Sequence, residues 1–115
     1  MTDAVGSTEE QRIAAVLRRY TDAYAELDAA AARAVWPSVD VRALSRAFDA
    51  LESQAIVFDD CTVNLVGSDA RAVCQGNLTY VPKIGRKSPR TVGQHWSFLM
   101  KKTAGEWTIA GAQMR

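Results

Sequence analysis

The residues that could do chemistry in this 115-residue chain are few: an adjacent acid pair, Asp59-Asp60, two cysteines, three tyrosines and one histidine. Where each points depends on strand register, and a turn sets the register. Gly67-Ser68 reads as the centre of a two-residue hairpin between alternating apolar runs. Pairing outward from it sets Leu65 against Ala70, Val63 against Ala72 and Cys61 against Cys74. Every member of that face is apolar, and a one-residue slip would scramble it. Cys61 and Cys74 then occupy a non-hydrogen-bonded site, where strands approach closely enough for a disulfide. Two small reduced thiols packed side by side fit the same register and are the preferred reading. An apolar face disfavours a nucleophilic thiol, which needs an electropositive, partly exposed setting.

Extended without a break, this register puts Asp59 on the inner face opposite Gly76. A carboxylate walled by apolar groups has a raised pKa and can act as a general base. A β-bulge at the acid pair would exchange the roles of Asp59 and Asp60, and a position at the solvated sheet rim would leave neither with one. Tyr20 and Tyr24, one helical turn apart, offer hydroxyls at the core's edge. Trp36, Trp96, Phe48, Phe98 and Tyr80, with the two cysteines, complete the set expected to line an internal pocket. His95 falls out of phase with Trp96 and Phe98, so it belongs to the outer sheet face. A lone His makes no metal site, and no metal or cofactor is expected.

The elements that position these residues follow from periodicity. Ser7-Thr8-Glu9-Glu10 reads as a capping box opening a helix, with Ile13, Val16, Leu17, Tyr20, Tyr24 and Leu27 on one face. Asp28 caps a short alanine-rich helix that Pro37 stops. Asp40 caps a third helix, with Val41, Leu44, Ala47, Phe48 and Leu51 at helical spacing. From Ile56 onward the period becomes two. Four strands follow, joined at Gly67-Ser68, by a basic Pro/Gly loop (residues 81–90) and at Ala104-Gly105. The fold class expected is α+β, with three N-terminal helices packed in the concave face of a curved four-stranded antiparallel sheet.

Composition sets bounds on partners. Hydrophobic residues are 48% and charged residues 23%, ordinary for one globular domain spanning residues 1–115 with an ordered core of about 8–113. Twelve acids and six bases lie up to Asp69, whereas seven bases and no acid lie between Ala70 and Lys102. The basic residues are dispersed along strands, so nucleic acid is not an expected partner. No apolar run is long enough to span a membrane, and the N-terminus has no signal-peptide pattern. A complete chain would therefore be expected in the cytoplasm, and an excised domain would carry no address of its own.

The order of elements resembles the nuclear transport factor 2-like superfamily, the cone-shaped fold of ketosteroid isomerases and polyketide cyclases. The resemblance rests on Val35-Trp36-Pro37, Ala47-Phe48-Asp49-Ala50-Leu51, the Cys61 and Cys74 pair, Trp96-Ser97-Phe98-Leu99 and Gly105-Glu106-Trp107-Thr108-Ile109. It implies a sheet curled around the first helix, a cavity for a small apolar ligand, and homodimers through the outer sheet face. Catalytic positions carried over from such enzymes would fall on Asp59 or Asp60 with Tyr20 or Tyr24, but a second inward acid is not found. The segment also looks like accessory domains of larger bacterial proteins. A noncatalytic ligand-binding or dimerisation module is the expected function, with an isomerase, dehydratase or cyclase as the alternative.

Overall fold

The computed structural model describes residues 4–115, with side chains from Thr8 onward. Helix α1 (Ala4–Ala25) already includes position 7, so Ser7 is not its first capping residue; the Ser7 side chain lies outside the described residues. Helix α1 ends in a Schellman motif, with Asp28 N donating to Ala23 O and Leu27 N to Tyr24 O. Leu27 takes the left-handed position, at φ 54°. Asp28 caps α2 (Ala29–Val35) by accepting from Ala31 N, and Asp40 caps α3 (Val41–Asp49) by accepting from Ala43 N, each at 3.0 Å. Between these helices Trp36 leaves the helical region, at φ −135° and ψ 80°, as the following Pro37 favours.

Four antiparallel strands follow in the order β1-β2-β3-β4: β1 (Leu51–Val66), β2 (Asp69–Pro82), β3 (Arg90–Thr103) and β4 (Glu106–Met114). Strand β1 begins at Leu51, which sequence periodicity had attached to α3. Its backbone finds a partner there: Leu51 pairs with Pro82, and Lys83 N donates to Ala50 O at 3.0 Å. A ladder bond outweighs the helical phase of one leucine.

The Gly67-Ser68 turn forms as expected, with Gly67 at φ 62°, and the pairs Leu65–Ala70, Val63–Ala72 and Cys61–Cys74 stand in the register derived above. Beyond Asp60 that register fails. Asp60 still pairs with Gln75, but Phe58 takes the place opposite Gly76, leaving Asp59 as the extra residue of a β-bulge. Gly76 shows why. A Cβ there would lie 1.9 Å from the Val57 carbonyl oxygen and 2.9 Å from Phe58 Cα. The space beside Gly76 is filled by the β1 main chain, not left open as a pocket.

The sheet is curved and unclosed, and its inner face packs on α1. Ile13, Val16, Leu17 and Tyr20 from the helix meet Ala72, Cys74, Trp96, Phe98, Met100, Trp107 and Ile109 from the strands, all buried. Edge-to-face ring contacts run from Tyr20 to Phe98 and from Phe58 to Trp96, each with centroids 5.1 Å apart. Two ends result. At the turn end, Lys102 N donates to Ser68 O, and Glu9 of α1 accepts from Lys102 Nζ and from Trp107 Nε1. At the opposite end, Gln54 Nε2 donates to Tyr24 O at 3.1 Å, tying the start of β1 to the end of α1.

Candidate functional site

The bulge decides which β1 side chains face the helices. Before it, Gln54, Ile56 and Phe58 point inward; after it, Cys61, Val63 and Leu65 do. Asp59 and Asp60 are both exposed. The inward Asp59 expected from an unbroken register is thus corrected: Phe58 takes the place opposite Gly76, and neither acid lines an internal space.

A cavity of about 190 Å³ opens between the helices and the sheet at the end away from the turns. Tyr20 and Tyr24 of α1, Trp36 after α2, Gln54 and Ile56 of β1, Leu78 of β2, Trp96 of β3 and the segment 112–114 of β4 form its wall. The tyrosine rings are stacked at a tilt, with centroids 4.3 Å apart. Burial pushes the Tyr20 hydroxyl far above its usual range, and the neighbouring Tyr24 phenol adds to the shift. Burial also raises Tyr24, but there the hydrogen bond with Tyr20 acts in the opposite sense. A bond between the two phenols uses one of their two protons and leaves the other to be given to a third group. Trp96 Nε1 is buried with no hydrogen-bond partner, as is Gln94 Oε1 two residues earlier on the same strand face. Of the two, Trp96 belongs to the cavity wall and Gln94 does not, so the wall contributes one buried donor without a partner.

Of the pocket residues expected from sequence, Tyr20, Tyr24, Trp36 and Trp96 meet at this cavity. Phe48, Cys74 and Phe98 are buried in the packing behind it, Phe48 edge-on to Tyr24 at 5.1 Å. Tyr80 is half-buried on β2 and does not reach the wall. His95 lies exposed on the outer face, its main chain paired with Arg115. Sequence reasoning missed Gln54, Ile56, Leu78, Ala112, Gln113 and Met114. Among the described residues no cluster of His, Cys, Asp and Glu could hold a metal, and no helix is long and apolar enough to cross a membrane.

Cys61 belongs to a different space. An open groove of about 750 Å³ runs between α1 and β1, lined by Glu10, Ala14, Leu17, Arg18 and Thr21 of the helix and by Ile56, Phe58, Cys61, Thr62 and Val63 of the strand. Cys61 is exposed and Cys74 fully buried, and their sulfurs are joined in a disulfide across paired positions with Cα atoms 4.0 Å apart. The structure thus holds the bonded alternative rather than the two reduced thiols preferred from sequence.

No family model and no curated protein matches the sequence. Solved structures do match its fold. A nuclear transport factor 2-like superfamily protein from Salmonella enterica superposes with a TM-score of 0.86 at 13% identity, covering 96% of this chain and 92% of that one. A hexachlorocyclohexane dehydrochlorinase from Novosphingobium barchaimii gives 0.83 at 7% identity, covering 98% and 89%. A protein of unknown function from Mycobacterium tuberculosis gives 0.80 at 17% identity, covering 97% and 73%. The fold is that of the nuclear transport factor 2-like proteins, as the sequence pattern implied.

Proposed function

We propose that this chain is a noncatalytic module that holds a small apolar, carbonyl-bearing molecule in its cone and pairs with a second copy through the outer face of its sheet. The observation that carries the ligand reading is the composition of the 190 Å³ cavity wall. Apolar and aromatic side chains surround the Tyr20–Tyr24 pair and Trp96, and the one phenol proton not used between the tyrosines, with the unpartnered indole N–H, suits an acceptor oxygen. The volume falls below the roughly 300–1,000 Å³ of pockets for drug-sized ligands, which favours an occupant near the size of one substituted ring.

Isomerase or dehydratase chemistry needs a proton acceptor at the substrate. The side chains considered for that role, Asp59, Asp60 and His95, are exposed and absent from this wall, so the binding reading is preferred even though a dehydrochlorinase shares the fold. Acetophenone and its carbonyl-free counterpart ethylbenzene make a direct test, read by ligand-observed NMR. Acetophenone should bind more tightly, Tyr24→Phe should erase the difference, and Ala112→Phe should fill the cavity and remove binding of both. Equal binding to the filled variant would sink the proposal.

The pairing reading rests on the outer face, where Val57, Val73 and Leu99 are 57%, 44% and 48% exposed. Light scattering after size-exclusion chromatography should give twice the chain mass, and Val73→Lys with Leu99→Lys should return it to one. A monomer at high protein concentration would remove this part.

A further inference from the structure

We infer that Cys61 is a site of reversible thiol–disulfide exchange with small thiols that enter the groove between α1 and β1. The inference does not depend on what the cavity holds. It starts from the asymmetry of the bridge: Cys61 is exposed and lines the groove, whereas Cys74 has no accessible surface and is paired with Trp96 in the core. In exchange, access decides which sulfur is attacked. A thiolate arriving from solvent meets Cys61 Sγ and cannot meet Cys74 Sγ.

The step balances without a further reactant. The incoming thiolate forms a bond to Cys61 Sγ as the Cys61–Cys74 bond breaks. The electron pair of that bond leaves on the Cys74 sulfur, which takes a proton from water. The product is a mixed disulfide on Cys61 and a free thiol on Cys74. A second small thiolate attacking the mixed disulfide releases the symmetrical small disulfide and leaves both cysteines reduced, so two electrons have come from two thiols.

The groove suits such a reactant. Leu17, Ile56, Phe58 and Val63 give it an apolar wall, and Arg18 brings a cation to the same groove as Cys61. Glu10 stands in the same groove and Asp60 precedes Cys61 in the chain, so the local field is mixed. A thiol carrying both a carboxylate and an ammonium group, as in a cysteine-containing peptide, matches that pairing of charges.

Glutathione is the probe. The native oxidised protein is incubated with it, quenched in acid, alkylated after denaturation and mapped by mass spectrometry. Glutathione should be found on Cys61 and the alkyl group on Cys74, in at least ~10-fold excess over the reverse arrangement. Adduct on Cys74, equal partition, or no adduct until the chain unfolds would each overturn the inference. Single variants test access without the bridge. With circular dichroism confirming the fold, the thiol left in Cys74→Ser should react with a maleimide in native buffer, and the thiol left in Cys61→Ser should react only in denaturant. If neither variant folds, the mapping of the intact protein still decides. Arg18→Glu should slow glutathione more than neutral 2-mercaptoethanol, and equal slowing would remove the role given to the groove's charge.

Discussion

The two ends of β1 share a strand yet are held in different ways, and a bulge lies between them. Gln54 and Ile56 line the tyrosine-lined cavity; Phe58, Cys61 and Val63 line the groove, which Ile56 also reaches, and the strand then runs on to a tight turn. The turn half is held covalently by Cys61–Cys74, by the Gly67-Ser68 hairpin and by the contacts of Glu9. The cavity half is held by packing and by the hydrogen bond from Gln54. An end that is stapled keeps the curved sheet in register, so the other end can tolerate a hollow and two unpaired polar atoms. The bulge at Asp59 is the device that joins them, because it reverses which residues face inward without interrupting the strand.

Removing the device should have the largest effect. Gly76→Val puts side-chain atoms where the Val57 carbonyl already sits, and main chain cannot swing away as a side-chain tip would. A loss of about 4 kcal/mol is expected, at the upper end of single-residue effects, read as the urea midpoint. If Gly76→Val unfolds within ~1 kcal/mol of the parent, the bulge does not require glycine and the division of β1 has another cause. Opening the staple comes next. Its cysteines are 13 residues apart, and closing a loop of that size stabilises by about 2–3 kcal/mol. The double variant Cys61→Ala with Cys74→Ala should lose about that much and still bind acetophenone. Loss of ligand binding along with stability would show that the two ends are not separable.

The register of β1 was legible in its turn half and not in its cavity half, although Tyr20, Tyr24, Trp36 and Trp96 of the cavity wall were read from the sequence. Alternation counted from Gly67-Ser68 is reliable as far as Asp60, since each pair sits where the turn dictates. A bulge leaves no gap in a sequence, so counting onward carried Asp59 inward, to the place that Phe58 occupies. The traces it did leave are Gly76, a residue with no side chain in an alternating strand, and the run Ile56-Val57-Phe58, which is apolar on both faces. A second irregularity, between Leu99 and Met100, shifts the pairing of β4 so that Met100 meets Ile109 and Leu99 meets Gly111. That shift brings Ala112 and Met114 to the cavity, beyond where an apolar pattern was readable. Oxidation of the cysteines lay outside what register can encode, because paired positions serve thiols and disulfide alike.

The contacts of Glu9 predict how the stapled end responds to acid. The hydrogen bond from Lys102, then that from the Trp107 indole, hold Glu9 below its ordinary value of 4.5 against the opposing effect of burial. A carboxylate with a depressed folded-state pKa contributes stability that is complete above its unfolded value and disappears as pH falls through the folded value. The parent should therefore lose stability below about pH 4.5 more steeply than Glu9→Gln does, and the variant should be the less stable of the two at pH 7. Parallel stability curves for the two proteins over that interval would show that Glu9 is not a fastener of this end.

The smallest expected effect tests whether the turn end is already optimal. Strands β3 and β4 are joined by Ala104-Gly105 with φ 52° and 83°, both in the left-handed region, as a type I′ hairpin turn needs. Glycine accepts that conformation freely, whereas alanine has a Cβ crowding the next carbonyl. Asparagine enters the region more readily because its short amide can bond locally. Ala104 is exposed, so the exchange disturbs no packing. Ala104→Asn should accordingly raise stability by about 0.5–1 kcal/mol while leaving cavity binding and the rate of exchange at Cys61 unchanged. A gain in stability accompanied by slower exchange would mean that the groove breathes through this hairpin, and that the bridge is reached by opening the end rather than through the groove as it stands.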